Sequence, residues 1–415
     1  MIYSILILVC FVSIFLFQMR EKNRITPLTV FCSIWIITIF LYSLGLYNIY
    51  SISEKAYILL FLGLVLFCLG YVCMKHIKIK HKLNSKENWT FINALVIVDI
   101  VVSLPYYFSQ LVSLFRSGLT SAAYKFLIIT GEVESGGALM QFFVRPMEFI
   151  ILGMSAYSFF NRKKQNTITA YSGVFICFLK YICTGSKSIF IYYTMCLFVM
   201  YLYQKKSRIN NFKKSNLKTK GLIICLVIAF VIALSGAGNI FKSFYIYVAG
   251  CIPFFDHVIS KNYFWNEGMT YGFMSFNGVI RFFNHFLSII GIELNPQLFF
   301  IAENYIARLE YTTTIAPEIK YNAFSTFIAN FYIDFGLAGV IVLSFLFGMF
   351  SCYIYKIYCN TPNVYTFSLL MLSFYLVLFS IVRFQLSNTV LAMSIIYSLV
   401  LLCVSNLNIK LRIKI

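Results

Sequence analysis

The residues that could do chemistry in this 415-residue chain are few and widely spaced. Arg281 and His285 stand four apart, so a helix would point both the same way. Asp256 and His257 are adjacent, and Glu303 and Asp334 follow downstream. A transfer onto a hydroxyl needs a group that takes its proton. Asp256, His257, His285 and Asp334 are the candidates for that base. The matching half of the chemistry is anion binding. Arg116, Lys187 and Arg383 fall near the ends of apolar stretches, and Arg145 falls inside one. Ionisable groups at membrane depth are costly and mark function by default. With Arg281, such cations suit a diphosphate headgroup. Metal chemistry has little support. No HExxH and no Asp-x-Asp occurs, and the twelve cysteines contain no CxxC. No cofactor is expected.

The elements that must position these groups are membrane helices. Hydrophobic residues make up 60% of the chain and charged residues 12%, with a mean hydropathy of +0.82. Soluble domains are about 45–50% apolar and about 25% charged. Apolar runs long enough to span recur at 2–19, 27–47, 56–74, 89–113, 139–160, 167–184, 187–204, 221–240, 327–355, 364–383 and 387–405. That predicts an all-α integral membrane protein of about eleven spans, forming one polytopic domain over 1–415. The net charge of +20 is topological rather than a nucleic-acid footprint. With the N-terminus outside and the C-terminus cytoplasmic, 22 of the 34 Lys and Arg lie on cytoplasmic segments, as the positive-inside rule requires. The first apolar run lacks a basic start and a small-residue cleavage site, which reads as a retained span. The same arrangement leaves 241–326, between the eighth and ninth spans, as a large external loop. Loops of that length are usually functional. Within it, Arg281, Asn284, His285 and Ser288 share one helical face, and Phe282, Phe283, Phe286, Ile289 and Ile290 the other. Asp99, near the middle of the fourth span, needs a partner, and Arg145 or Lys180 can supply it. Arg145 and Glu148, three apart, can also meet. A structural ion pair is the expectation there, and a proton-coupled carrier the alternative.

One patch has a family likeness. Asn322-Ala-Phe-Ser-Thr followed by Phe331-Tyr-Ile-Asp334-Phe-Gly336-Leu-Ala-Gly339 resembles a signature of the Wzy-type oligosaccharide repeat-unit polymerases, where it follows the large external loop. Thr184-Gly-Ser-Lys187-Ser resembles that family's basic turn between two spans, with Lys where Arg is usual. Tyr271-Gly272, the Arg281 region and Arg116-Ser-Gly118 resemble its external-loop segments. The resemblance implies a metal-independent glycosyltransferase of the bacterial inner membrane. It would join undecaprenyl-diphosphate-linked oligosaccharide units into O-antigen or capsular polysaccharide at the periplasmic face. It also implies that Arg116, Arg145, Lys187, Arg281, Arg383 and Tyr271 bind substrate, and that a chain-length regulator protein is a partner besides membrane lipid. An O-antigen ligase shares the many-span, large-loop plan. A flippase for lipid-linked oligosaccharide is the different-class alternative. Such carriers show inverted repeats and broken mid-membrane helices, of which the sequence gives no sign.

Overall fold

A computed structural model describes residues 7, 11, 12, 25–78, 87–118, 136–184, 188–207, 240–260, 267–310, 312–322 and 324–406. Lys187, nearly all of the spans expected at 2–19 and 221–240, and most of the basic clusters lie outside these residues. Helices dominate. Five helical segments among the described residues are long and apolar enough to cross a membrane: Glu54–His76, Trp89–Ser117, Phe241–Ser260, Thr326–Asn360 and Val364–Ile381. Pro27–Ser43, Ser188–Gln204 and Thr389–Ser405 are shorter apolar helices. The chain divides into two compact units, one of residues 1–80, 239–356 and 373–392, the other of 81–238, 357–372 and 393–415.

The first unit opens with α1 (Pro27–Ser43) and α2 (Glu54–His76). Thr26 and Thr29 form a reciprocal cap at the start of α1, with Pro27 at the first helical position, where its missing N–H costs nothing. Ser53 caps α2 by accepting from the Ala56 N–H at 3.3 Å. The far end of α2 is closed by a distant cation. Lys356 Nζ donates to the Met74 and Lys75 carbonyls at 2.9 and 2.8 Å and also to that of Ile77. These are carbonyls that a helix C-terminus leaves unpaired, and a positive charge suits the negative end of the dipole. The core is aromatic. Phe31 stacks on Phe67 with centroids 3.7 Å apart, and Trp35, Phe327, Phe347, Phe331 and Phe384 interlock around them edge to face.

The second unit begins with α3 (Trp89–Ser117), capped by Asn88. One turn of π-helix, Met140–Val144, precedes α4 (Arg145–Phe160), and α5 (Thr167–Thr184) and α6 (Ser188–Ser207) follow. Here α4 packs on α5 and α6, and α3 on α5. Gly173 permits the closest approach, since a Cβ there would lie 2.5 Å from the Tyr193 ring.

Residues 241–326 differ from the expected external loop at their start. They begin as α7 (Ile240–Ala249) and α8 (Cys251–Ser260). The helical bonds run through the junction, Gly250 N–H donating to Ile246 at 2.9 Å and Phe254 N–H to Gly250 at 3.2 Å, while Pro253 has no N–H to give the Ala249 carbonyl; at Gly250 a Cβ would come within 2.7 Å of the Tyr321 ring. The stretch read as an amphipathic helix is α9 (Asn277–Ile289), and α10 (Pro296–Leu309) comes after it. A small hairpin, β1 (Thr313–Ala316) with β2 (Ile319–Tyr321), leads into α11 (Thr326–Asn360), then α12 (Val364–Leu378) and α13 (Thr389–Asn406).

In the first unit, α2 and α11 cross on glycines. A Cβ at Gly70 would lie 1.9 Å from the Phe345 carbonyl oxygen, and one at Gly348 would lie 2.0 Å from that of Phe67. Backbones in such contact need residues without side chains, the usual device where lipid supplies no hydrophobic drive between helices.

Candidate functional site

The Asp-Phe-Gly patch is first of all a joint. Asp334 is fully buried on α11. Its Oδ1 accepts from the Thr270 hydroxyl at 2.6 Å and from the N–H groups of Gly272 and Met274 at 2.9 and 3.0 Å. Its Oδ2 accepts from the Ser275 N–H at 2.8 Å. The backbones meet as well, Tyr271 N–H donating to the Asp334 carbonyl. A carboxylate holding four donors is a fastener for the 267–276 segment, and a poor base. Phe335 and Gly336 then leave helical geometry, Gly336 at φ 59°, ψ −142°, a conformation that glycine adopts readily.

This break borders a cavity of about 650 Å³. Ser53 and Lys55 line it from the start of α2, Ile259 and Ser260 from the end of α8, and Tyr332, Gly336 and Leu337 from α11. Met269 completes the wall. Lys55 Nζ lies 5.0 Å from the Tyr332 ring centroid, the geometry of a cation–π contact. No ion pair of Lys55 is found among the described residues. Behind the two serines stands Asp256. Its Oδ1 accepts from the Ser53 hydroxyl at 2.5 Å and the Ser260 hydroxyl at 3.0 Å, and its Oδ2 from the Ser53 N–H at 3.1 Å. One wall of the cavity therefore presents an ammonium beside hydroxyls bound to a carboxylate. That set can receive an anion and, through a serine, pass a proton to Asp256.

The other candidates are placed elsewhere. His257 Nε2 is 3.3 Å from the Thr313 hydroxyl and its ring stacks on Phe254. His285 is exposed on α9, its ring against Phe286. Arg281 forms a two-point ion pair with Glu303, which also accepts from Asn277 at 3.1 Å. Arg383 donates to Glu310 at 2.6 Å, and Arg308 pairs with Glu267. A guanidinium already facing a carboxylate has little net charge to offer a diphosphate, so Arg281 and Arg383 are weaker anion binders here than their sequence positions suggest. Tyr271, at φ 49°, is exposed with its ring edge-on to Phe335. Arg116 ends α3, exposed in its last turn, and Arg145 reaches the Tyr106 hydroxyl at 3.0 Å; both belong to the second unit.

Lys55 and the two serines have no sequence signal beyond their type. Lys55 follows Glu54 and cancels in a charge count, and its cavity neighbours other than Ser53 are hundreds of residues away. Among the described residues, no group of three or more His, Cys, Asp and Glu is placed to hold a metal ion. No protein-family model matches the chain, and neither curated proteins nor solved structures return a match.

Proposed function

We propose that this chain is a membrane glycosyltransferase that joins lipid-diphosphate-linked oligosaccharide units, the repeat-unit polymerase reading of its sequence. The observation that carries the reading is the cavity at the Phe335–Gly336 break, where Lys55 stands beside two serine hydroxyls bound to Asp256. Its apolar side, Met269 and Leu337, and its aromatic side, Tyr332, suit a sugar face. In the proposed step, an acceptor hydroxyl attacks the anomeric carbon of the donor. The bond from that carbon to the diphosphate oxygen breaks, and the diphosphate leaves with the electron pair. Ser260 takes the acceptor proton as it passes its own to Asp256. Lys55 offsets charge growing on the leaving diphosphate, where an interaction made late in the step lowers the barrier most. The donor is undecaprenyl diphosphate-linked, the location the periplasmic face of a bacterial inner membrane, and the product O-antigen or capsule.

The test is genetic. Deleting the gene and resolving the surface polysaccharide on a gel should show chains stopping at one repeat unit. Long chains in the deletion strain refute the polymerase reading. Lipid-linked polymer that is made but never attached to its acceptor core supports the ligase instead. Lipid-linked units accumulating on the cytoplasmic face support a flippase.

A further inference from the structure

The second unit holds its acids differently from the first. Asp99 lies buried on α3, Glu148 on α4 and Lys180 on α5, at 6%, 1% and 8% exposure. Glu148 faces the Lys180 ammonium through one oxygen and accepts from the Tyr107 hydroxyl at 2.6 Å through the other. Asp99 interacts electrostatically with both Glu148 and Lys180. Yet its Oδ2 is shut off from solvent and has no hydrogen-bond partner among the described residues. The Lys180 ammonium is thus paired with Glu148 and acts on Asp99 only at longer range.

Of the other titratable groups on α5, Tyr171 and Tyr181 are exposed, and Cys183 is buried in one cluster with Tyr107. Arg145 on α4 donates to the Tyr106 hydroxyl at 3.0 Å and acts electrostatically on Tyr107. Cys177 on α5 is a buried thiol close enough to interact with Glu148 and Lys180. Lys164, in the turn before α5, is exposed. Tyr106 and Tyr107 are on α3 itself. An ionised carboxylate in such surroundings is far costlier than the neutral acid unless it is paired and hydrogen-bonded.

A route accompanies the cluster. Asp99, Ser103, Tyr107 and Gln110 recur at helical spacing and are all buried, while Val98, Val101, Val102 and Phe108 on the same helix are exposed. A polar stripe turned inward on a helix with an apolar outer face is the arrangement that intramembrane proton relays use.

We infer that Asp99, Glu148 and Lys180 form a binding site for one exchangeable proton, reached along the stripe of Ser103, Tyr107 and Gln110. The proton closes the charge balance. Two carboxyl groups with one proton between them carry a single negative charge, which Lys180 matches. An alkali cation is a worse occupant, because hard cations take about six oxygen ligands and the cluster supplies few. The inference does not depend on the polymerase reading, since it concerns residues of the other unit.

The experiment is infrared difference spectroscopy of the full chain in lipid nanodiscs, following the C=O stretch of protonated carboxyl groups. Wild type should show such a band, and it should shift in heavy water because the proton exchanges. Asp99→Asn and Glu148→Gln should each remove it, since either leaves one carboxylate for one ammonium. Lys180→Met should double it, since both acids then take a proton. No band in wild type, or a band of unchanged intensity in both Asp99→Asn and Glu148→Gln, overturns the inference. Loss of the wild-type band when sodium chloride replaces choline chloride at constant pH also overturns it, in favour of an alkali cation. The three variants differ in opposite directions, so a misfolded one cannot imitate the pattern.

Discussion

Two buried aspartates sit on apolar helices of this chain, and they are treated in opposite ways. Asp334, in the first unit, accepts four hydrogen bonds, three of them from backbone N–H groups of one short segment. Asp99, in the second, has an oxygen with no hydrogen-bond partner among the described residues. The difference lies in what surrounds each one. Asp334 faces an irregular stretch, 267–276, whose amides are free to donate. Asp99 faces regular helices, whose amides are already used in their own ladders, so only side chains can reach it. A buried acid beside a loop becomes a fastener, and one among helices stays available to a proton.

The comparison can be broken in several ways. Asp334→Ala should have the largest effect. At about 1–3 kcal/mol for each buried donor left unpaired, the loss is on the order of 5 kcal/mol, read as collapse of membrane-inserted protein on a fluorescence size-exclusion trace. Near-normal accumulation would show that the four contacts are incidental. Lys55→Met should leave the protein abundant but cut chain extension by roughly 10²-fold, the usual effect of deleting one charge-stabilising donor. Full-length polysaccharide in that strain would remove Lys55 from the site. Gly70→Leu should destabilise the protein by more than the about 1–3 kcal/mol of ordinary overpacking and so lower its melting temperature, with Gly348→Leu giving a similar loss and the double variant much less than the sum. Additive losses would mean that the two glycines do not share one crossing. Removing Arg281 and Glu303 together should cost under about 1 kcal/mol of stability, because the pair is partly exposed and screened. If chain extension also survives in that double variant, Arg281 has no part in substrate binding. The smallest effect belongs to Asp99→Asn, because the amide matches the neutral acid in size and in hydrogen-bonding reach. A loss as large as that of Asp334→Ala would erase the contrast between the two acids.

Helices were the legible part of the sequence, because apolar runs bounded by polar caps need only local information. The 27–47, 56–74 and 89–113 runs correspond to Pro27–Ser43, Glu54–His76 and Trp89–Ser117. The 241–260 stretch was harder to read, since Lys242, Gly250, Pro253, Asp256 and His257 all look like loop residues. In the structure the helical bonds run on through Gly250, and Asp256 is bound by serines. Arg145 and Glu148 have the spacing of a pair, but side chains on a helix lean toward its N-terminus. Arg145 opens α4 and leans away to Tyr106, leaving Glu148 to Lys180. The cavity was illegible in principle. Ser53 and Asp256 are 203 residues apart, and no periodicity relates them.

The glycine crossing of α2 and α11 bears on how the cavity can move. Helices slide past one another when side chains can hop from one groove to the next. Two backbones in direct contact at Gly70 and Gly348 have nothing to hop. The crossing locks α2 against the part of α11 that follows the Phe335–Gly336 break, and Tyr332 stands before that break, so the Lys55–Tyr332 side of the cavity is not held by the glycines.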